Sequence, residues 1–187
     1  MDAERHPEDA SPAKIAAEFV PALVAALDDP AVVFDRHLDV VAANPVAGAV
    51  SASFTVGVNL ARFTFLNPMV EETTEAWSLA AALTASTLRT SLERFGEDRR
   101  FRTLLGDLMA HSAAFAERWA APPIAAQPRG TVVFTNPLVG VLHLGYEQLQ
   151  RGVDDDLTVI LWAAADPEST ERLSRLRELV DGATARP

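Results

Sequence analysis

The most constraining feature of this sequence is that its strand-like segments lie towards both ends of the chain, with a helical block between them. Short apolar runs occur at residues 31–35 and 39–44, and three more occur at 131–134, 139–149 and 157–164. Runs of this kind, bounded by Asn, Asp, Gly and Pro, are typical of strands and hairpins. If both groups of strands belong to one sheet, the intervening helices must pack against it in a single α+β domain.

The helices are indicated by apolar residues at three- and four-residue spacing. The stripe between residues 101 and 119 predicts either one bent helix or two. Residues 157–164 are apolar on both faces, which predicts the central strand of the sheet. The predicted helices lie at residues 12–27, 45–50, 60–66, 69–95, 101–119 and from 166 onward.

Charge and composition exclude several classes of function. The 187 residues include 26 Asp and Glu but only 16 Lys and Arg, which gives a net charge of −10. A surface of this charge repels a phosphate backbone, so we expect no direct DNA binding by this chain. The absence of cysteine excludes disulfides and thiolate chemistry and is compatible with the cytoplasmic location that we expect. No apolar run reaches the roughly 18 residues of a membrane-spanning helix.

Four stretches of the chain resemble the ligand-binding region of MmyB-like transcription regulators, a branch of the XRE-type helix-turn-helix proteins. The stretches are PAVVFDR with DVVAAN (residues 30–44), NLARFTFLNP (59–68), SAAFAERWA (112–120) and NPLVGVLHLGYE (136–147). With residues 157–167 they extend the resemblance over most of the chain. Two positions depart from the family pattern, since Ala43 replaces a usual tryptophan and Asn136 stands where histidine is frequent.

The resemblance implies a PAS-like fold, namely an antiparallel five-stranded sheet with a large helical insertion and flanking N- and C-terminal helices. It also implies a cavity between sheet and helices for a small apolar ligand, with long-chain fatty acid as one ligand of relatives. Burial of about a dozen methylenes at ~0.8 kcal/mol each offers ~10 kcal/mol before entropy costs. The implied partners are this ligand and a DNA-binding domain or regulator, in cis or in trans. No cofactor and no metal are implied.

Large side chains on the predicted helices are the candidates for the cavity wall, because the family places its cavity against these helices. The same side chains also fit an ordinary helix core, so the two interpretations compete. The candidate ligand-binding residues are Phe65, Trp77, Leu88, Leu105, Met109, Phe115 and Trp119.

Polar residues offer fewer candidates. Arg62, Arg118 and Arg129 suit an acidic head group, although a solvated position is the ordinary role of a surface arginine. Asn44 is expected to cap the following helix, and His143 to be an ordinary strand residue. The acidic run at 154–156 is interpreted as a solvated turn, because it lacks the glycine and glutamate of a calcium loop. No nucleophile elbow or metal-ligand spacing occurs, so we expect no enzymatic activity.

We expect residues 1–12 to form a flexible lead or hinge, 13–181 to form the ligand-binding domain and 182–187 to form a tail. Residues 1–30 are too few for a helix-turn-helix domain, so the chain is either a fragment of a longer regulator or a stand-alone member. The alternative function is an interaction module with a filled core, which dimerises through its first helix or an open sheet face. A hydrolase or lipid-modifying enzyme is the third class.

Overall fold

The computed structural model of the chain describes residues 12–70, 74–124, 127–150 and 156–184. Our expectations for the lead at 1–11, for residues 154 and 155 of the acidic turn and for residues 185–187 of the tail concern segments outside this range. Within the described residues, no helix has the length and apolar character needed to cross a membrane.

The order of helices and strands confirms the predicted order. The helices are α1 (Pro12–Ala25), α2 (Pro45–Val50), α3 (Leu60–Leu66), α4 (Glu75–Phe95), α5 (Arg99–His111), α6 (Ala113–Ala120) and α7 (Pro167–Thr184), with a 3₁₀ turn at Ala52–Phe54. The strands are β1 (Ala31–Phe34), β2 (Val40–Ala43), β3 (Arg129–Asn136), β4 (Gly140–Gln150) and β5 (Thr158–Ala164).

Several helix and strand ends differ from the predicted ones, and the largest difference, at the start of α4, has a local cause. α4 begins at Glu75 and not at Met69, because the Thr74 side chain accepts a hydrogen bond from the Trp77 N–H as an N-cap. The 101–119 stripe forms two helices, since Ser112 ends α5 and caps α6. α7 continues to Thr184, three residues into the segment expected to be a tail.

The five strands form one antiparallel sheet in the order β2-β1-β5-β4-β3. β5 lies at its centre, as its apolar composition predicts. The pairing of Ala31 with Leu161 joins the N-terminal hairpin directly to the last strand. The fold is therefore α+β and PAS-like, with the helical block inserted between β2 and β3, and the predicted fold class is confirmed.

The sheet separates two hydrophobic layers. Ile160 and Trp162 of β5 face the helical block, whereas Val159 and Leu161 face α1. This alternation follows from the two-residue repeat of a strand, and a strand buried on both faces has to be apolar throughout. The buried residues of the layer under α1 are Val20, Val24, Ala31, Val33 and Ala42.

Buried asparagines connect the elements around the sheet. The Asn44 side chain caps α2 by accepting from the Ala47 N–H at 3.0 Å, which confirms the predicted capping role. Its Nδ2 donates to the carbonyl oxygens of Leu27 and Asp29, so the same residue also holds the end of α1. Asn136 donates to the Ala49 carbonyl oxygen at 2.6 Å and thereby attaches α2 to the β3–β4 hairpin.

A charged cluster joins the β1–β2 turn to the start of α5. Buried His37 places Nε2 3.0 Å from Asp98 and Nδ1 3.5 Å from Asp35. Asp98 is also the N-cap of α5, since it accepts from the Phe101 N–H at 2.8 Å. The His37 ring contacts Phe101 at a centroid distance of 4.6 Å. These contacts fix the helical block against the end of the sheet.

Candidate functional site

A cavity of about 310 Å³ lies between the inner face of the sheet and the helices α3 and α4. Strands β1, β3, β4 and β5 supply one wall, and the 3₁₀ turn, α3 and α4 supply the other. The lining extends from the buried Leu38 to the exposed Ile124 and Gln127, so the cavity reaches from the core to the surface. This combination of depth and access is typical of a ligand site.

Small side chains on α4 explain why the space is empty. Ala76, Ala80 and Thr84 are spaced by four residues and therefore lie on one face of the helix, which lines the cavity together with Thr87. The helix packs mainly against α3 and α6, where its buried Leu88 fills the core. Because short side chains face the sheet, α4 stands away from it without filling the gap.

Aromatic rings from the sheet and the 3₁₀ turn form one wall of the cavity. The indole of Trp162 on β5 is at the centre, with ring centroids of Phe134, Tyr146 and Phe54 at 5.2, 5.4 and 5.6 Å. All four residues line the cavity. Tilted and edge-to-face contacts of this kind fix the ring positions. This wall is therefore preorganised and apolar.

Tyr146 is the one lining residue of the described chain with a titratable side chain. Its hydroxyl donates to the Gln127 carbonyl oxygen at 3.3 Å. Burial raises the pKa of Tyr146 above its ordinary value, so the hydroxyl stays neutral. It contributes a polar but uncharged group near the opening.

The arginines suggested for an acidic head group do not line this cavity. Arg62, Arg118 and Arg129 each contact a polar side chain on the surface of the domain. Their respective partners are Asp107, Ser78 and Glu147. Among the described residues, the cavity wall contains no Arg, Lys, His, Asp or Glu side chain.

The structure brings four of the seven candidate residues together in one line of aromatic contacts. Trp77 lines the cavity, and its Nε1 donates to the Thr64 carbonyl oxygen at 3.0 Å. Phe65 contacts Trp77 at 6.2 Å and Phe115 at 5.0 Å, and Phe115 stacks on Trp119 at 5.4 Å. Phe65 and Phe115 are buried behind the cavity wall and belong to the helical core.

Of the seven candidates only Trp77 lines the cavity, and the other three, like Phe65, Phe115 and Trp119, do not. Leu88 is completely buried, Leu105 packs against the core, and Met109 is 41% exposed on α5. The sequence pattern pointed to large apolar side chains. A large side chain that packs against its neighbours, however, fills the space between elements and does not leave a cavity. The signal missed in the sequence is the small-residue face of α4, which runs beside the stripe of larger residues.

Polar groups outside the cavity have structural contacts. His143 lies on β4, half exposed, with Nδ1 3.1 Å from Asp166, and does not line the cavity. The backbone N–H of Ser169 lowers the pKa of Asp166, which caps the start of α7. In the part of the chain that the structure describes, no group of three or more His, Asp or Glu side chains is arranged to hold a metal.

Comparison with known proteins assigns the family. No curated protein matches the chain significantly. The solved PAS domain of Bordetella pertussis BvgS is similar at 14% identity and a TM-score of 0.33, covering 90% of this chain and 97% of that one. The family described as the MmyB-like transcription regulator ligand binding domain matches residues 16–179. The chain therefore belongs to the family of MmyB-like transcription regulator ligand-binding domains.

Proposed function

We propose that this domain senses a small, mainly apolar molecule held between the sheet and α4, and that it performs no chemistry on that molecule. The observation that carries the proposal is the 310 Å³ cavity, which is lined mainly by aromatic and aliphatic side chains with uncharged polar ones between them, and which reaches the surface. An interaction module with a completely filled core has no reason to keep such a space, since empty apolar volume destabilises a protein.

The volume limits the size of the ligand. It lies at the lower end of the range of roughly 300–1,000 Å³ for ligand cavities. With about 30 Å³ for each water-sized group, the cavity holds about ten carbon atoms. An acyl chain of that length gains ~8 kcal/mol from burial before entropy costs. The long-chain fatty acid expected from the resemblance is therefore accommodated only if the end of its chain extends past Ile124 and Gln127.

A ligand at this position contacts both the sheet and α4, which suggests how binding is reported. β5 contributes Trp162 to the cavity, and its next residue on the other face, Leu161, packs against α1. A ligand shifts a conformational equilibrium only through different affinities for the two states. We propose that it changes the packing of α4 and β5, and that a DNA-binding domain or regulator, in cis or in trans, responds to that change in the cytoplasm.

Extraction of the purified chain with organic solvent, followed by mass spectrometry, tests the proposal. We expect an apolar compound in a ratio close to one per chain, and a higher melting temperature when that compound is added back to stripped protein. At a hundredfold excess over the dissociation constant the added stability is ~2.7 kcal/mol. A chain that carries no compound, and whose melting temperature no acyl compound of eight to sixteen carbons changes, contradicts the proposal and favours the interaction module.

A further inference from the structure

The cavity wall has no charge to balance that of an ionised ligand. None of its described residues is basic or acidic, and Arg62, Arg118 and Arg129 contact Asp107, Ser78 and Glu147 outside the cavity. An ionised carboxylate that leaves water without a cation or several hydrogen-bond donors is strongly disfavoured. A fatty acid therefore binds deep in this cavity only after it has taken up a proton.

Two buried residues of the wall, Thr84 and Trp162, nevertheless have a side-chain polar group without a hydrogen-bond partner among the described residues. Thr84 is only 6% exposed, and its hydroxyl makes no hydrogen bond there. The Nε1 of Trp162 is the one fully buried side-chain polar atom of the described residues that has no partner. Three aromatic rings pack around this indole at centroid distances of 5.2, 5.4 and 5.6 Å. A fully buried donor without a partner, such as this N–H, is rare in folded proteins, whereas the Thr84 hydroxyl belongs to a residue that lines the cavity and is the more accessible donor of the two.

Thr64 shows that the unsatisfied hydroxyl of Thr84 is specific to its position. Thr64 lines the same cavity and is similarly buried, at 7% exposure. Its hydroxyl, however, donates to the Leu60 carbonyl oxygen at 2.8 Å, within its own helix. The two threonines thus differ in whether the hydroxyl proton is available to a ligand.

From these observations we infer that the ligand is uncharged and carries a carbonyl oxygen, as in an acyl ester, amide or lactone, which accepts a hydrogen bond from Thr84 inside the cavity. This inference rests on the proposed function and names the chemical class of its ligand. A carbonyl oxygen satisfies a donor without introducing the charge that the wall does not balance. The apolar remainder of the molecule then occupies the space beside Ala80 and the aromatic wall.

Three probes of one chain length test the inference on the full chain: methyl decanoate, decanoate and decane. Binding is followed by calorimetry and by tryptophan fluorescence, because Trp77 and Trp162 line the cavity. At pH 7 we expect methyl decanoate to bind at least tenfold more tightly than decanoate. The affinity for decanoate should fall about tenfold for each pH unit from 6 to 8, because only the protonated acid enters.

The Thr84→Val variant removes the hydroxyl and keeps the shape of the side chain. It should weaken the binding of methyl decanoate by about two- to twelvefold, the range expected for one hydrogen bond, and leave decane unchanged. Thr103→Val, which removes an exposed hydroxyl of α5 outside the cavity, is the control and should leave the affinities for both probes as they are. Thr84→Ser, which keeps the hydroxyl and should bind like the original chain, and Thr84→Ala, which removes it and should bind more weakly, give a second reading if Thr84→Val does not fold.

The outcomes separate this inference from the function on which it rests. Decanoate that binds as tightly as methyl decanoate at pH 8, or Thr84→Val and Thr103→Val variants that behave alike, overturns the uncharged carbonyl ligand while leaving the sensor in place. If none of the three probes binds, decane included, the proposed function itself fails.

Discussion

Gly130 and Tyr146 pair across strands β3 and β4, and the Tyr146 ring occupies the space that a β-carbon at position 130 requires. An added Cβ would lie 2.8 Å from Cε1 of the ring. No unstrained contact between two carbon atoms is that short. Glycine at 130 is thus what allows Tyr146 to lie flat against its neighbour and form part of the cavity wall.

The Gly130→Ala variant is expected to push the Tyr146 ring from its place and to lower the affinity for an apolar ligand. Because the ring is the movable end of a side chain, the loss of unfolding free energy should stay near the low end of the ~1–3 kcal/mol typical of overpacking. Chemical denaturation and ligand titration measure the two effects. Gly145→Ala is the control, since a Cβ there meets its nearest atom at 3.8 Å. Equal effects of the two variants on ligand affinity would contradict this role of Gly130.

Asn44 should be important for stability and not for binding. Its side chain is buried and hydrogen-bonds to the backbone at Ala31, Ala47, Leu27 and Asp29. Replacing it with alanine removes an N-cap and leaves buried backbone groups unsatisfied, which is expected to cost about 2–4 kcal/mol of unfolding free energy.

The control for Asn44 is Asn67→Ala, which removes a single exposed hydrogen bond to the Met69 N–H. We expect a loss of less than ~1 kcal/mol for that variant in the same urea titration. A loss for Asn44→Ala no larger than that of the control would show that the Asn44 contacts do not hold α1 and α2 to the sheet.

Acid should weaken the attachment of α5 through Asp98. The Phe101 N–H, followed by contacts with His37 and Arg36, lowers the pKa of Asp98 from 3.8 to about 2. Since the folded state favours the ionised carboxylate, its contribution to stability is complete above pH 4 and disappears as the pH falls to about 2. The Asp98→Asn variant should therefore show a flatter dependence of stability on pH in that interval than the original chain.

Asp181→Asn, which changes the net charge equally at an exposed position of α7, is the control for this acid titration. Thermal unfolding at several pH values between 2 and 5 compares the three proteins. The account of Asp98 is wrong if both variants flatten the profile to the same degree.

The parts of this fold that the sequence predicts are those that depend on local chemistry. The β5 segment has no polar face and therefore had to lie at the centre of the sheet, and Asn44 before Pro45 had to begin a helix. The start of α4 was missed because the apolar pattern continues upstream of Thr74, and only the hydrogen bond from the Trp77 N–H shows where the helix begins.

The cavity depends on distances between elements that are far apart in the chain, and sequence patterns do not contain those distances. Phe115 and Ala80 illustrate the difference. An apolar stripe identified Phe115 as part of a helix face, but not whether that face packs against another helix or borders an empty space. Ala80 lines the cavity because α3 and α6 hold α4 away from β5. This position of α4 depends on how α3, α6 and the sheet pack together.

Closing the cavity with one side chain tests the central claim most directly. Ala80→Phe places a ring in the space between α4 and the sheet, and Ala110→Phe makes the same change at an exposed position of α5 that does not line the cavity. With calorimetric titration of methyl decanoate, the original chain and Ala110→Phe should bind one molecule each, and Ala80→Phe should remain folded and bind at least thirtyfold more weakly, about 2 kcal/mol. Undiminished binding by a folded Ala80→Phe variant would contradict the assignment of this cavity as the ligand site.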